Sequence, residues 1–188
     1  MRVGGPADLL VEVDDRFALR GVVRLARSRG WPLTILGRGS NVVVDDAGIR
    51  GIVVLNRSRG AEVDASSGRA TFDSGVPMAR AATMTAEAGL TGMEFALAIP
   101  GNIGGAVWAN AGAHGGEMAA ILSSVIVLDV DGDESEHATA ALSLAYRHSR
   151  FKDPAGRGEV ILGATVRLQT DRPESIKARS EEHTSELQ

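Results

Sequence analysis

Residues 33–44 read Leu-Thr-Ile-Leu-Gly-Arg-Gly-Ser-Asn-Val-Val-Val, which places a glycine turn at 37–41 between two apolar runs. The runs predict two strands, at 33–36 and 42–44. A Rossmann dinucleotide fingerprint needs a third glycine and a helix after the turn, and a P-loop needs Gly-Lys followed by Ser or Thr. Neither pattern is present, so this stretch argues against both of these nucleotide-binding folds.

A glycine turn between strands can nevertheless bind an anion. Its successive backbone N–H groups point into one concavity, which can hold a phosphate without a helix dipole. Ser40 and Asn41 add side-chain donors, and Arg38 adds a positive charge. On this stretch alone, an ordinary glycine-rich hairpin turn is the simpler interpretation.

A second glycine cluster strengthens the ligand-binding interpretation of the turn. Residues 99–117 read Ile-Pro-Gly-Asn-Ile-Gly-Gly-Ala-Val-Trp-Ala-Asn-Ala-Gly-Ala-His-Gly-Gly-Glu. A flat ligand could lie against such backbone, and the glycine amides could hold a diphosphate. Two phosphate-capable turns in one small domain favour a dinucleotide cofactor bound outside a Rossmann fold. Close packing of a helix on a strand also needs small side chains and is an equal alternative at this point.

Composition narrows the class of protein. The chain has 188 residues, 23 of them glycine, and a net charge of −4. This length can bury a full core, and the lack of a basic excess argues against a nucleic-acid binder. The sequence contains no cysteine, so disulfides, thiolate nucleophiles and cysteine metal sites are excluded, and no metal site is predicted.

Neither a signal peptide nor a membrane span is predicted. The N-terminus, Met-Arg-Val-Gly-Gly-Pro, lacks a basic region followed by an apolar one. Residues 95–116 carry no charged side chain, but their Pro100 and six glycines suit a buried loop system better than a membrane helix. We therefore expect a cytoplasmic enzyme with no membrane partner.

The rest of the chain mixes helical and strand patterns. A strand ending at Val13 precedes a helix that Asp14 or Asp15 caps and Gly30 ends. Other predicted elements are strands at 52–55 and 160–168, hairpins at 61–73 and 124–138, a helix at 77–89 and a helical turn at 140–144. Because a β–α–β order is mixed with hairpins, the expected fold class is α+β.

Six short motifs follow one another along the chain. They stand at 2–7 (Arg-Val-Gly-Gly-Pro-Ala), 36–41 (Leu-Gly-Arg-Gly-Ser-Asn), 92–95 (Gly-Met-Glu-Phe), 99–106 (Ile-Pro-Gly, then Gly-Gly-Ala), 110–117 (Asn-Ala-Gly-Ala, then Gly-Gly-Glu) and 146–149 (Tyr-Arg-His-Ser). Each motif is weak by itself. Jointly, the sequence resembles the UDP-N-acetylenolpyruvoylglucosamine reductase (MurB) family of peptidoglycan precursor synthesis over nearly all of residues 2–170.

The resemblance implies an α+β FAD-binding domain of the vanillyl-alcohol-oxidase (PCMH) type, in two subdomains with FAD between them. It also implies NADPH as co-substrate and the enolpyruvyl ether of UDP-N-acetylglucosamine as substrate, with UDP-N-acetylmuramate as product. No histidine or cysteine lies near the N-terminal turns, so we expect FAD to be bound non-covalently.

The resemblance also assigns site residues. Arg147 matches the family's catalytic arginine, whose permanent charge can stabilise negative charge developing beside the substrate carboxylate. Tyr146 and Arg147 are the expected substrate contacts, although by itself Arg147 is more simply a surface salt-bridge residue. The expected FAD-binding residues are Gly37, Arg38, Gly39, Ser40, Asn41, Ile99, Pro100, Gly101, Gly104, Gly105, Asn110, Gly112, Gly115 and Gly116.

By the same resemblance we divide the chain into subdomains at 1–56 and 57–170, followed by the start of a linker at 171–178. Residues 179–188 read Arg-Ser-Glu-Glu-His-Thr-Ser-Glu-Leu-Gln, which resembles a translated sequencing-library adapter and is expected to be a non-native tail. On its pattern alone, an ordinary polar terminus is the simpler interpretation. The family's third domain, with its serine proton donor and catalytic glutamate, has no counterpart after Leu168. The polypeptide is therefore expected to be inactive alone.

Three alternatives stay open. The chain could be the FAD-binding domain of another flavin oxidase or dehydrogenase of the same superfamily, or a non-catalytic nucleotide-binding module. In a third interpretation both glycine stretches serve packing alone, and the chain binds no ligand.

Overall fold

The computed structural model describes residues 4–185. Its strands are β1 (Ala7–Val13), β2 (Leu33–Leu36), β3 (Ile49–Asn56), β4 (Ala61–Asp64), β5 (Arg69–Asp73), β6 (Leu90–Thr91), β7 (Gly112–Ala113), β8 (Gly116–Glu117), β9 (Leu122–Leu128), β10 (Glu134–Ala138), β11 (Val160–Arg167) and β12 (Gln169–Thr170). Its α-helices are α1 (Arg16–Ser28), α2 (Met78–Glu87), α3 (Ile103–Ala109), α4 (Met118–Ile121) and α5 (Pro173–Ser185). Single 3-10 turns lie at Glu94–Ala98, Thr139–Leu142, Arg150–Lys152 and Pro154–Gly156.

Two main sheets organise these elements. The first is parallel and has the strand order β1–β3–β2. The second is antiparallel and has the order β10–β9–β11–β5–β4. The pairs β6–β12 and β7–β8 add two small ribbons. A β–α–β unit beside a larger antiparallel sheet is the α+β class that the sequence predicts.

Helix α1 lies between the two sheets. Its N-cap is Asp15, whose carboxylate accepts a hydrogen bond from the Ala18 amide at 2.7 Å, as the capping pattern predicts. Its apolar stripe is buried in a core to which both sheets contribute, comprising Val13, Leu19, Val23, Ala26, Ile52, Val54, Leu128, Val160 and Leu162. The division into subdomains at residue 56 stays a prediction. Residues from both sides of that boundary contribute to this core.

A second and larger core lies where α2 and α3 cover the antiparallel sheet. Phe72, Met78, Ile103 and Met118 are among its fully buried members. The hairpins β4–β5 and β9–β10 form as predicted, and α2 begins directly after Pro77. None of the helices within residues 4–185 is long and apolar enough to cross a bilayer.

The predicted strand at 42–44 is wrong. Because β2 and β3 are parallel, the chain must run back from the end of β2 to the beginning of β3. Residues 42–45 lie in this connection and pair with no strand. This segment passes Gly5, whose amide donates to the Asp45 carbonyl at 2.9 Å. Val43 is 83 % exposed, so its branched side chain has no sheet face to cover. Of the motif at 2–7, Arg2 and Val3 lie outside the described residues.

The interpretation of 95–116 as a loop system is also wrong in part. Residues 103–109 form α3 in spite of two glycines, because Ile103, Ala106 and Val107 are buried in the larger core. Tertiary packing here outweighs the poor helix propensity of glycine.

Candidate functional site

The two glycine stretches meet in the structure. A Cβ added at Gly37 would lie 2.9 Å from Nδ2 of Asn102, and a Cβ added at Gly101 would lie 3.7 Å from Oγ of Ser40. At the first distance, a side chain on Gly37 would have to displace the Asn102 side chain. Turn 37–41 and the residues just before α3 therefore form one wall.

Three backbone hydrogen bonds fasten the second stretch to the segment between β5 and α2. The Met78 amide donates to the Gly101 carbonyl, the Ile103 amide to the Val76 carbonyl and the Gly104 amide to the Ser74 carbonyl, each at 2.9 Å. A Cβ on Gly104 would lie 2.9 Å from Cβ of Ser74, so the close approach requires glycine. Gly104 therefore serves packing, and its amide is occupied within the protein.

A cavity of about 570 Å³ opens beside this wall. Its lining comprises 36–39, 55–57, Arg59, Gly75, Pro77, Arg80 and Asn102. The volume lies within the range usual for small-molecule and cofactor sites. The cavity is at the carboxyl ends of the neighbouring parallel strands β2 and β3, which is where open α/β sheets place their ligands.

The cavity offers donors and an acceptor that have no hydrogen-bond partner among the residues that the structure describes. Within the described chain, no backbone amide of residues 37–41 donates a hydrogen bond to a protein group. Asn102 is buried, and its Nδ2 donates to the Asn56 carbonyl at 3.4 Å while its Oδ1 accepts no hydrogen bond. Buried polar atoms are almost always satisfied, so this oxygen calls for a ligand or water that donates. Free amides beside an orphaned acceptor fit the diphosphate and ribose of a dinucleotide.

The structure brings only some of the predicted cofactor residues to the cavity. Gly37, Arg38 and Gly39 line it, and Ser40 and Gly101 adjoin them. Gly105 is exposed, with no atom within 4 Å of an added Cβ, so it leaves open space next to α3. Residues Ile99, Pro100, Asn110, Gly112, Gly115 and Gly116 are not in the lining.

Asn110 is built into the C-terminal end of α3. It adopts a left-handed conformation with φ of 42°, as helix C-caps often do. Its Oδ1 accepts from the Ala119 amide at 2.9 Å, and its Nδ2 donates to the Ala145 carbonyl at 3.0 Å. The side chain therefore holds three segments together. Ala145 lies two residues before Arg147, the predicted catalytic residue.

Tyr146 and Arg147 form the tip of a tight turn. Ala145 and His148 close it with two backbone hydrogen bonds, at 3.2 and 3.0 Å. Tyr146 is 88 % exposed, and Arg147 has φ of 54°, a conformation that side-chain-bearing residues seldom adopt and that concentrates at functional sites.

The Arg147 turn is anchored to the end of α3. Asn110 holds the Ala145 carbonyl, and the buried Ser149 donates through Oγ to the Trp108 carbonyl at 2.6 Å. Helix α3 thus has the cavity at its N-terminal end and the Arg147 turn at its C-terminal end. Seven residues of α-helix separate the two by about 10 Å.

Sequence reasoning missed the polar residues of the cavity other than Arg38, which are Asn56, Arg57, Arg59, Arg80 and Asn102. Asn56, Arg57 and Arg59 stand at or just after the end of β3, so the rule that ligands bind at the carboxyl ends of parallel strands could have found them. Asn102 lies within the second glycine cluster, 99–117, and its amide side chain is the signal that could have found it. No sequence signal points to Arg80, which lies on the first turn of α2.

Comparisons with known proteins identify a family for this chain. A family model described as FAD binding domain matches residues 7–136. The chain belongs to this FAD-binding-domain family. Among curated relatives, the UDP-N-acetylenolpyruvoylglucosamine reductase of Pediococcus pentosaceus is 36 % identical over 181 residues, and that of Rubrobacter xylanophilus is 40 % identical over 181 residues. Each match covers 96 % of this chain, which spans 59 % and 60 % of the two relatives. The resemblance that the motifs predict is therefore confirmed.

Solved structures confirm the fold class. The MurB structure from Thermus caldophilus matches 98 % of this chain with a TM-score of 0.79 and 32 % identity, and the chain covers 64 % of it. The structure of 6-hydroxy-D-nicotine oxidase from Arthrobacter nicotinovorans matches 90 % of this chain, with a TM-score of 0.64 and 19 % identity, and the chain covers 38 % of it. At that identity the second likeness shows the fold alone, which is the FAD-binding α+β fold of the vanillyl-alcohol-oxidase type.

Proposed function

We propose that this chain binds FAD non-covalently and is the FAD-binding part of a cytoplasmic, NADPH-dependent reductase. The parent reaction converts UDP-N-acetylglucosamine enolpyruvate to UDP-N-acetylmuramate in peptidoglycan synthesis. The observation that carries the proposal is the meeting of the two glycine stretches at one cavity. There the amides of 37–41 donate to no residue within 4–185, and Oδ1 of Asn102 accepts no hydrogen bond from them. Relatives named as that reductase match almost the whole chain.

The residues of the cavity would bind the diphosphate end of the cofactor. The amides of 37–41 donate to phosphate oxygens, and Oδ1 of Asn102 accepts from a ligand hydroxyl. Gly105 leaves the face of α3 open for close approach, and the predicted contacts at 110–116 would meet the far end of the ligand. FAD, when bound, supplies the hydride chemistry, while the protein positions and stabilises.

Arg147 would act at the other end of α3. Its guanidinium carries a permanent charge at an exposed turn tip, which suits a substrate carboxylate and the negative charge that develops next to it. Tyr146 on the same tip would contact the UDP-sugar substrate. The chain spans about three fifths of its reductase relatives, and we propose that it is inactive without the part that they carry in addition.

The first experiment measures flavin retention. The purified chain is mixed with excess FAD and passed through gel filtration, and the absorbance of the protein peak is recorded. We expect flavin bands that co-elute with folded, monodisperse protein and are removed by unfolding, because the attachment is non-covalent. A folded chain that retains no flavin, and binds none by titration, would refute the proposal.

A second step separates the enzymatic proposal from its alternatives. Anaerobic NADPH is added to the flavin-loaded chain, and bleaching of the flavin bands is followed. Bleaching supports a reductase that uses NADPH. Flavin binding without bleaching agrees with the proposal that the chain is inactive alone. The same assay on the parent protein then decides between the NADPH-dependent reductase and a different flavin oxidase or dehydrogenase, an alternative based on the fold shared with 6-hydroxy-D-nicotine oxidase. Nucleotide binding without flavin binding favours a non-catalytic module.

A further inference from the structure

Lysine is rare in this chain. Of its 20 lysines and arginines, only Lys152 and Lys177 are lysines. Lys152 closes the 3-10 turn Arg150–Lys152, shortly after Arg147. A lysine ends in a compact ammonium with three donors, whereas an arginine ends in a planar fork. Lysine therefore suits a position where one small cation must make contacts in different directions.

The ammonium of Lys152 has two such contacts. Its Nζ donates to the Arg147 carbonyl at 2.5 Å and lies 4.3 Å from the centroid of the Trp108 ring. The face of an indole attracts a cation. Lys152 forms no ion pair with a carboxylate in the part of the chain that the structure describes. The charge is thus held between a backbone carbonyl and a ring on the last turn of α3.

The backbone at the tip of the Arg147 turn depends on this lysine. The anchors described above hold the two ends of the turn, at Ala145 and Ser149. Within residues 4–185, the backbone of Tyr146 and Arg147 makes no hydrogen bond other than the one from Lys152. The φ of 54° at Arg147 is unfavourable for a residue with a side chain and persists only where the surroundings enforce it.

The side chain of Arg147 has no other support. It is exposed, and its guanidinium forms no hydrogen bond or ion pair with the residues that the structure describes. The region that this guanidinium can reach is therefore set by the backbone conformation at Arg147. A change of φ from the left-handed to the right-handed region would turn the side chain in another direction.

We infer that Lys152 is a positioning residue, whose ammonium, held over the Trp108 ring, fixes the Arg147 carbonyl and so aims the Arg147 guanidinium at an anionic ligand. The inference rests on the proposed function in that this ligand is the substrate carboxylate. It goes further by naming a second cation, which acts through Arg147 rather than by contact with the substrate.

Nuclear magnetic resonance of the ligand-free chain tests the conformation. In a left-handed residue the amide and α protons lie close together, so the nuclear Overhauser effect (NOE) between them is strong. The chain is compared with Lys152→Met, which keeps an unbranched apolar stem without the charge, and with Trp108→Leu, which removes the ring. Lys177→Met is the matched control, since Lys177 is the other lysine and is exposed on α5. Circular dichroism confirms that each variant is folded.

For the unchanged chain we expect a strong NOE within Arg147 and an upfield shift of the Lys152 ε-methylene protons caused by the indole ring. Lys152→Met should weaken the NOE by at least about twofold, because the left-handed conformation is no longer enforced. Trp108→Leu should abolish the upfield shift and weaken the NOE. Lys177→Met should leave both signals unchanged.

Three results overturn the inference: a weak Arg147 NOE in the unchanged chain, a strong one that persists in Lys152→Met, or an equal loss in Lys177→Met. These measurements use no flavin, so the FAD proposal stands whichever result is obtained. The inference and the proposed function can therefore fail separately.

The parent protein tests the consequence for the reaction. In an NADPH-dependent assay, Lys152→Met should lower kcat/KM by roughly tenfold, because a displaced guanidinium stabilises the developing charge less well. Lys177→Met should keep full activity. Full activity in Lys152→Met overturns the positioning role. A parent protein without reductase activity refutes the proposed function, and the NOE comparison then decides whether Lys152 holds the Arg147 turn.

Discussion

At the scale of single residues, two adjacent glycines on α3 differ in how closely other atoms approach them. A Cβ on Gly104 would lie 2.9 Å from Cβ and 3.2 Å from the carbonyl oxygen of Ser74, whereas one on Gly105 would meet no atom within 4 Å. Gly104 is therefore required by packing, and Gly105 is free within the protein itself. A sequence shows the two as an identical pair.

This difference gives a matched prediction. Gly105→Ala should raise the free energy of unfolding by about 0.5–1 kcal/mol, because alanine favours a helix interior. Gly104→Ala gains the same propensity but overpacks against Ser74, which costs about 1–3 kcal/mol, so we expect a net loss. Urea unfolding of both ligand-free variants measures the two changes. A stabilising Gly104→Ala would contradict the contact with Ser74, and weaker FAD binding by Gly105→Ala would mark the open space as ligand space.

At the scale of elements, the β4–β5 hairpin shows how a turn is held by one carboxylate. Asp64 accepts hydrogen bonds from Oγ of Ser66 and Oγ of Ser67, both at 2.6 Å, and from the Ser66 amide at 3.0 Å. The hydroxyls of Ser66 and Ser67, with help from their amides, lower the pKa of Asp64 from 3.8 to about 2. The charged form of this exposed side chain is thus the one that the folded hairpin prefers.

The sign of the pH dependence follows from that shift. Because the folded pKa of Asp64 lies below the unfolded one, its stabilising contribution is complete above about pH 4 and is lost as the pH falls towards about 2. We expect a carboxyl titration midpoint near 2 by NMR. The stability difference between the chain and Asp64→Asn should shrink over the same pH interval. A midpoint close to 3.8 would show that the serine hydrogen bonds do not persist in solution.

At the scale of the whole molecule, α1 joins the two sheets through one core. Leu19 and Val23 are fully buried, with β3 residues on one side and β9 and β11 residues in the same cluster. The parallel sheet therefore has no separate core of its own on this face. We expect both sheets to unfold together.

Leu19→Ala tests this coupling. The substitution should lower the free energy of unfolding by about 2–5 kcal/mol, because it removes buried methyl groups and leaves a cavity. Leu25→Ala on the same helix is the control, since Leu25 is 49 % exposed and should cost far less. Urea unfolding followed by far-ultraviolet circular dichroism and by tryptophan fluorescence should give one coincident transition. Two separated transitions would show that α1 does not couple the sheets.

Helix α5 is the last large piece of the described fold. It packs on the 3-10 turn Glu94–Ala98, and Arg179 lies 3.2 Å from Glu94 and 2.6 Å from Asp171. Burial by itself would raise the pKa of Glu94, but hydrogen bonds from Thr91, Gly92 and Arg179 leave it lowered. The expectation that residues 179–188 are a non-native tail stays a prediction, which sequencing the parent gene tests.

The sequence by itself determined the order of most helices and strands, the fold class and the family. These follow from local chemistry: Asp15 caps its helix, Pro77 opens the next, and the glycine stretches carry recognisable motifs. Only the tertiary structure decided that residues 42–45 stay outside the sheet and that 103–109 become a helix, because both outcomes depend on what packs against them. It also brought Arg38 and Arg80 into the lining of one cavity. A cavity wall is assembled from segments far apart in the chain, and the periodicity of a sequence does not predict which segments meet.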